Sequence, residues 1–423
     1  MSVSMQARPP TSQWALSALL ASAFVVALGY GIVLPVLPMM VERLAGATDP
    51  TFNARQIGFL TAAYVAAPVG AAFLWGKWSD LIGRRPVLVV GLIGFAITLA
   101  ASALAPSLLV LYVGRILNGG FAAAVGPTAL AFIADTEGGD DCRTRAFGRM
   151  SMASIAGFLV GPTLGGLAAE LKLHLGGVAV PPQTVPFLLA SGLAAAAALG
   201  VWSVLPGNLL PGPRVEANKP GASMFAPGEL RLLSLAAVAA AGLGAFEVGL
   251  TLRNAELAMG PAALGLMFAT CSVVMFAVQG IVFSPLVKPA AARLLAAPAF
   301  LVMAIGLALI PTIAGLTEML FAVSIVAASA GVISPLLVYW VSRISTRSQG
   351  VELGIQSAAV SLGMSVGSAA AGLLFGFPGL EGAAFLAAAA AMGLAAIASL
   401  KLPLPLAPAH SEARPADQAD AAV

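Results

Sequence analysis

Charged residues are scarce in this sequence of 423 residues. Asp, Glu, Lys and Arg make up 9% of it, whereas a soluble domain carries about 25%. Hydrophobic residues make up 59%, and the net charge is only +3. The basic residues are scattered in short polar segments between apolar stretches, which argues against nucleic-acid binding. The composition indicates a membrane protein.

Cysteine and histidine are rare as well. Cys142 lies in a polar segment and Cys271 in an apolar one, so no disulfide framework is indicated. The two histidines, His174 and His410, offer no metal site. The sequence also has no nucleotide-binding loop and no Ser/His/Asp set. These absences disfavour an enzyme, and we expect no bound cofactor.

Long apolar stretches dominate the rest of the chain. A helix needs roughly 20 apolar residues to cross the hydrocarbon core of a bilayer. Twelve stretches meet this requirement, at about 14–40, 56–75, 87–105, 108–134, 147–170, 185–205, 230–252, 261–285, 294–313, 317–342, 352–375 and 380–401. The predicted fold is therefore an all-α membrane protein with twelve transmembrane helices.

The distribution of Lys and Arg predicts the orientation. If the N-terminus is cytoplasmic, sixteen of the 21 Lys and Arg residues lie on the cytoplasmic side and four on the other, while Arg115 lies within a span. Basic residues are enriched in cytoplasmic loops. We therefore expect both termini in the cytoplasm.

An internal repeat divides the chain into two halves. The segment 206–229 is rich in Pro and Gly, as a linker would be. A shift of 206 residues superposes the fifth span on the eleventh, with eight identities: Gly148 on Gly354, Ser151 on Ser357, Ala153 on Ala359, Gly157 on Gly363, Val160 on Val366, Gly161 on Gly367, Gly166 on Gly372 and Leu167 on Leu373. One interpretation is a general likeness of helices rich in small residues. The better one is two pseudo-symmetric six-helix bundles, 14–205 and 230–402, with cytoplasmic tails 1–13 and 403–423.

The segment "GKWSDLIGRRPV" (76–87) concentrates charge between the second and third spans. Gly76 and Gly83 allow a tight turn, and Asp80 can cap a helix or meet the positive end of a helix dipole. Arg84 and Arg85 can pair with acids at a neighbouring helix end, for which Asp135 is the candidate. The segment is either a mechanical gate or a topology signal alone.

The fifth span carries a regular glycine face. Gly157, Gly161 and Gly165 recur every four residues, Gly166 follows, and Pro162 removes a backbone hydrogen bond and bends the helix. Such a face permits close helix packing.

Two ionisable residues lie inside predicted spans. Arg115 is about seven residues into the fourth span, and Glu247 is about five residues from the end of the seventh. We hypothesise that Glu247 carries a proton or anchors a cationic substrate, and that Arg115 modulates its pKa. The alternatives are that Arg115 extends to the membrane surface and that Glu247 pairs locally with Arg253.

Four segments carry a family resemblance: "LGYGIVLPVLP" (28–38), "GKWSDLIGRRPV", "LYVGRILNGG" (111–120) and "GFLVGPTLGG" (157–166). They resemble motifs of the major facilitator superfamily, and within it those of the twelve-helix drug:proton antiporters that include the tetracycline exporters. The resemblance implies that the charged segment latches the cytoplasmic side in the outward-open state. It also implies that the glycine face seals the interface between the halves, and that a proton gradient drives antiport.

The sequence departs from the tetracycline exporters in two places, one of which is the ninth span (294–313), which has no acid. They carry an Asp in the first helix where this chain has Val26. Because tetracycline is transported as a metal chelate, a missing carboxylate disfavours that substrate. The candidate substrate-lining residues are polar side chains within spans: Tyr30, Asn118, Glu247, Gln279, Tyr339 and Gln356. Taken singly, each also fits helix packing.

We therefore expect a monomeric, proton-coupled antiporter that exports a small amphipathic molecule across the inner membrane of a bacterium. A dedicated exporter of a siderophore or another endogenous metabolite is the first alternative. An uptake symporter and a membrane receptor without transport activity are further alternatives.

Overall fold

The computed structural model describes residues 12–46, 49–136, 140–171, 174–175, 178–207, 227–282, 289–344, 349–375 and 382–400. The helices before residue 207 are α1 (Gln13–Val33), α2 (Leu37–Ala45), α3 (Pro50–Ile82), α4 (Arg84–Ala103), α5 (Leu108–Ala122), α6 (Val125–Thr136), α7 (Asp140–Glu170) and α8 (Thr184–Val204). Those after residue 226 are α9 (Pro227–Glu256), α10 (Gly260–Val282), α11 (Pro289–Leu309), α12 (Leu316–Ile344), α13 (Gln349–Leu374) and α14 (Ala383–Ser399). A short antiparallel ribbon, β1 (His174–Leu175) with β2 (Val178–Ala179), follows α7.

Eleven helical stretches in the described ranges are long and apolar enough to cross a membrane. They correspond to the first eleven predicted spans, with α1 and α2 forming one stretch and α5 and α6 another. The twelfth predicted span corresponds to α14, an apolar helix of 17 residues. The chain is therefore a multi-pass membrane protein. The tails 1–11 and 401–423 and most of the predicted linker, 208–226, lie outside the described residues.

Side-chain caps begin several helices. The side chains of Ser12 and Ser107 accept hydrogen bonds from the backbone at the starts of α1 and α5. Asp49 accepts from both the backbone N–H and the hydroxyl of Thr51 at the start of α3, and these bonds lower the pKa of the Asp49 carboxyl. Local sequence therefore determines where these helices begin.

Proline interrupts the first span. Residues Leu34–Val36 form a 3₁₀ segment between α1 and α2, because Pro35 has no N–H to continue the α-helical ladder. The backbone N–H of Leu34 closes the end of α1 by donating to the carbonyl of Gly31. The span therefore changes its helical geometry one turn after Tyr30.

The turn between α3 and α4 is shorter than the sequence predicts. Gly83 forms it alone, with a φ of 97° that favours glycine. Gly76 lies within α3, so the prediction that it belongs to the turn is wrong. Glycine permits a turn without requiring one, and the residues from Lys77 to Ile82 continue the helix.

The helices after residue 226 pack on one another in the same order as those before residue 207. In the first set, α1 packs on α7 and α8, and α4 packs on α5 and α8. In the second set, α9 packs on α13 and α14, and α11 packs on α12 and α14. The main contacts between the two sets are α3 with α13 and α7 with α10. We call the two sets the first half and the second half.

The glycines matched by the 206-residue shift make equivalent contacts. A methyl group added at Gly157 or Gly161 would collide with the backbone of α1, and one added at Gly363 or Gly367 would collide with the backbone of α9. Gly165 likewise lies against Ile32 of α1. The glycine face thus packs within the first half and not between the halves. Spacing predicts that a face exists, but it does not identify the helix that covers it.

The two halves meet at one end of the molecule. We call the helix ends that carry Arg84 and Asp135 the charged end, and those that carry Gly46 and Glu256 the opposite end. Near the opposite end, Gly58 of α3 lies against the backbone of Gly372 of α13, and Gly166 of α7 lies against that of Pro261 of α10. Glycine brings these backbones into direct contact.

Toward the charged end, the same four helices are open. A methyl group added at any of five glycines would meet no described atom within 4 Å: Gly70, Gly76, Gly148, Gly280 and Gly354. Among the described residues, the close glycine contacts between the halves therefore lie near the opposite end.

Candidate functional site

Arg84 organises a cluster of side chains at the charged end. Its guanidinium bonds Asp80 at 2.7 Å, Asp135 at 3.0 Å and the Ser79 hydroxyl at 2.8 Å. These contacts join the end of α3, the start of α4 and the end of α6. The tight turn at Gly83 places Arg84 beside Asp80, one helical turn earlier.

Arg85 has a different partner. Its guanidinium stacks over the ring of Trp202, 4.5 Å from the ring centroid, and bonds the Trp202 carbonyl oxygen at the end of α8. Trp202 was not predicted from the sequence. All described contacts of Arg84 and Arg85 therefore lie in the first half, and their role as a latch between the halves stays a prediction.

Near the middle of the spans, Tyr30 of α1 and Glu247 of α9 join the two halves. The Tyr30 hydroxyl donates a hydrogen bond of 2.6 Å to Oε2 of Glu247. Both residues are buried, with 8% and 5% of their surface exposed. Because a buried carboxyl group is costly without a hydrogen-bond donor, the tyrosine hydroxyl stabilises Glu247 at this position.

Arg115 connects to this pair through a second tyrosine. Its guanidinium carbon lies 4.3 Å from the centroid of the Tyr64 ring, and the Tyr64 ring stacks on Tyr30 with centroids 5.0 Å apart. Phe158 of α7 also stacks on Tyr30, with ring centroids 5.9 Å apart. A guanidinium, two phenol rings and a carboxyl group thus form a continuous row, which we call the central row: Arg115, Tyr64, Tyr30 and Glu247.

Arg115 is the largest fully buried side chain among the described residues, with 1% exposed. Its Nε donates a long hydrogen bond of 3.4 Å to the Leu60 carbonyl, while Nη1 and Nη2 have no hydrogen-bond partner among the described residues. The alternative that Arg115 extends to the membrane surface is therefore wrong. A buried cation with so few partners raises the free energy of the folded state.

The alternative partner for Glu247 is also wrong. Arg253 donates to Glu256 at 2.8 Å and to the carbonyls of Pro311 and Ile313, each at 3.1 Å. These bonds hold Arg253 near the end of α9, two turns beyond Glu247. Glu247 therefore interacts across the halves and not along its own helix.

The other candidate lining residues do not share one position. Asn118 donates to Thr98 and to the Phe95 carbonyl, at 2.9 and 3.1 Å, and so joins α5 to α4. Gln356 is buried, and its Oε1 has no partner. Gln279 is half-buried on α10. The side chain of Tyr339 lies outside the described part.

Sequence reasoning missed Tyr64 and Phe158. Rarity was an available signal, because the chain has only four tyrosines and two of them meet in the central row. A cavity of about 550 Å³ at the opposite end, beside Arg43 and Pro181, contains none of the predicted lining residues. Among the described residues, no three His, Cys, Asp or Glu side chains are placed to hold a metal ion.

Similarity to known proteins identifies the class. Several solved transporters share the fold: a D-xylose–proton symporter aligns over 92% of this chain and 98% of its own, with a TM-score of 0.74 and 15% identity. This likeness shows the fold. Residues 19–313 match the Major Facilitator Superfamily, and the chain belongs to this family.

Two relatives represent the similarity in sequence. The chain is 37% identical to the class D tetracycline resistance protein of Salmonella ordonez over 178 residues, which cover 42% of this chain and 41% of that protein. It is 27% identical to multidrug resistance protein 2 of Bacillus subtilis (strain 168) over 370 residues, which cover 84% of this chain and 88% of that protein. The match to the tetracycline resistance protein therefore spans less than half the length of that relative.

Proposed function

We propose that this protein is a proton-coupled antiporter that exports a small amphipathic molecule across the bacterial inner membrane. In this proposal, twelve transmembrane helices form two six-helix bundles, 14–205 and 230–402, which rock around a central site. The resemblance to tetracycline and multidrug resistance proteins supports export. The equivalent packing of the two halves supports the paired bundles.

The charged end faces the cytoplasm in this proposal. The excess of Lys and Arg on that side supports the orientation. The structure then corresponds to an inward-open state, since the contacts at Gly58 and Gly166 close the opposite end. The cluster around Arg84 braces the cytoplasmic end of the first bundle in this state.

Glu247 carries the proposal. It is a buried acid near the middle of a span, and its hydrogen bond crosses from one half to the other. An intramembrane acid is costly and marks a functional site. A proton and a cationic group of the substrate can each neutralise the same carboxylate, and this competition is the chemical basis of exchange. Tyr30, Tyr64 and Phe158 supply aromatic surface for an amphipathic molecule.

The missing carboxylate in the first helix argues against a metal chelate of tetracycline as the substrate. Such a chelate needs carboxylate partners, and the first helix has the half-buried Val26 where the tetracycline exporters carry an Asp. The aromatic and aliphatic surroundings of Glu247 instead suit an apolar molecule with a weakly basic group.

Vesicle transport with variants of Glu247 tests this function. In vesicles with an imposed pH gradient, we expect Glu247→Gln to lose proton-driven transport, because an amide does not titrate, and Glu247→Asp to retain part of it. A fluorescent amphipathic amine serves as the probe. Full proton-driven transport by the Gln variant contradicts the assignment of Glu247. Absence of transport by the unaltered protein, across a panel of cationic and neutral amphipathic probes, contradicts the proposed function.

A further inference from the structure

The hydrogen bond between Tyr30 and Glu247 is a contact between the two halves. Among the described residues, it is the one hydrogen bond that joins a side chain of the first half to a side chain of the second. The other polar contacts across the halves end on backbone carbonyls: Ser365 donates to Ala62 at 3.1 Å and Thr163 to Gly265 at 3.5 Å. The strength of those contacts does not depend on a titratable group, whereas that of the Tyr30 contact does.

The position of the Tyr30 ring is fixed by its neighbours. Tyr64 and Phe158 both stack on the Tyr30 ring, at interplanar angles of 15° and 18°. A methyl group at Gly31 would collide with Pro162, so the backbone of α1 is held against α7 beside the ring. The Tyr30 ring is therefore held in place by contacts within the first half. Whether its hydroxyl reaches Glu247 then depends on the position of the second half.

Among the described residues, the titratable groups that interact with Glu247 are Tyr30 from α1, through the hydrogen bond, and Cys271 from α10, electrostatically. Further along the central row, Tyr64 from α3 stacks on Tyr30, and Arg115 from α5 stacks on Tyr64. Tyrosine, cysteine and arginine keep their protons at neutral and acidic pH. Glu247 is thus the member of this group whose charge a proton gradient changes.

We propose that Tyr30 is the positioning residue that couples the charge of Glu247 to closure of the opposite end. The inference rests on the proposed function and specifies its coupling. The Tyr30 hydroxyl donates to a charged carboxylate when Glu247 is deprotonated, and a hydrogen bond to a charged acceptor is about twice as strong as one to a neutral acceptor. Deprotonation therefore holds the halves together at this point, and protonation weakens the contact.

This arrangement links the occupancy of Glu247 to the state of the opposite end. With neither a proton nor a substrate on Glu247, the carboxylate binds Tyr30 and the empty protein favours closure of the opposite end. A proton on the carboxylate or a cationic group beside it weakens the same bond, so loading of Glu247 favours opening.

The distance between the halves at the opposite end tests the proposal. Spin labels are placed at Leu171→Cys in the first half and Leu373→Cys in the second, since both side chains are exposed, in a protein with Cys142→Ser and Cys271→Ala. Double electron–electron resonance in lipid nanodiscs measures the distance between the two spin labels. The ratio of long to short label distances is determined at pH 5 to 8.5 without any substrate. We expect this ratio to rise roughly five- to tenfold as the pH is lowered, from the difference between charged and neutral hydrogen bonds.

Tyr30→Phe removes the hydroxyl and keeps the ring. We expect its distance ratio to change less than twofold over the same pH range, with more of the open form at pH 8.5. Tyr112→Phe is the matched control, because its hydroxyl donates to Gln56 at 2.8 Å within the first half. It should keep the full pH response. If Tyr30→Phe fails to fold, Glu247→Gln provides a neutral acceptor and should show the same flat response.

Two results overturn the inference: an unaltered protein without a pH response, or a Tyr30→Phe protein with the full response. The assay involves no transport, so its outcome is separate from that of the vesicle experiment. Proton-driven export with no pH-dependent opening contradicts the role of Tyr30 alone. Opening that depends on pH, without any export, contradicts the proposed function alone.

Discussion

At the scale of single residues, burial of Arg115 in the central row raises the free energy of the folded state. Its guanidinium stacks on Tyr64 and has one long hydrogen bond, while two nitrogens are buried and meet no hydrogen-bond partner in the described part of the chain. A cation–π contact in a desolvated site contributes about 2 kcal/mol, which does not offset the desolvation of a buried cation. The sequence retains a residue that opposes folding, and such a residue is expected where function requires a charge.

Replacement of Arg115 by Met separates stability from transport. We expect Arg115→Met to raise the free energy of unfolding by about 1 kcal/mol or more, because an apolar side chain of similar length avoids the desolvation cost. We also expect transport to be lost. The melting temperature in detergent measures the first effect. Arg253→Met is the control and should lower the melting temperature, because Arg253 has three hydrogen-bond partners. A lower melting temperature for Arg115→Met contradicts this account.

At the scale of helices, contacts between glycine and backbone join the halves near the opposite end. Gly58 against Gly372 and Gly166 against Pro261 allow the backbones to touch, and a side chain at any of these glycines would separate them. Gly157 and Gly161 make equally close contacts, but inside the first half. Glycines only a few residues apart on one helix therefore affect different properties, namely the relation between the halves and the integrity of one half.

A valine at Gly166 should therefore change the conformation and not only the stability. We expect Gly166→Val to shift the labelled Leu171 and Leu373 positions toward the long distance at every pH, since the added side chain meets the Pro261 carbonyl. Double electron–electron resonance measures the shift. Gly192→Val is the control, because a methyl group there meets no described atom within 4 Å. An unchanged distance distribution in the Gly166 variant would show that the contact does not determine closure.

The sequence predicts where the helices lie more completely than it predicts which helices pack on one another. Runs of about 20 apolar residues predict the eleven long helical stretches, because backbone groups in a bilayer must be bonded within the helix. The turn at Gly76 was predicted wrongly, since nothing after it stops the helix before Gly83. The sequence did not predict that α1 covers the glycine face, because periodicity defines a face and not the helix that packs on it.

The candidate site shows the same division. Arg115 and Glu247 could be selected because a charge within an apolar span is conspicuous. Their connection through Tyr64 and Tyr30 could not, since it depends on contacts between residues up to 217 positions apart. The pairing of Arg84 with Asp135 could be predicted, because the two residues lie at neighbouring helix ends.

At the scale of the whole molecule, the proposed transport cycle requires the halves to separate where α3 packs on α13 and α7 packs on α10, which we call the seam. A disulfide between Ala62→Cys and Ser365→Cys, which meet across the seam, should stop transport, and a reducing agent should restore it. A disulfide between Ala96→Cys and Ser191→Cys, within the first half, should leave transport intact. Vesicle uptake before and after reduction measures both. Continued transport by the oxidised Ala62 and Ser365 pair contradicts alternating access through this seam.

The 3₁₀ segment at Pro35 bears on how such opening is accommodated. Since the ring of Pro35 supplies no amide hydrogen, the first span has a compliant joint between Tyr30 and the short α2. In the proposed cycle, we therefore expect α2 to change its angle to α1 at this joint while Tyr30 keeps its contacts with Tyr64 and Phe158.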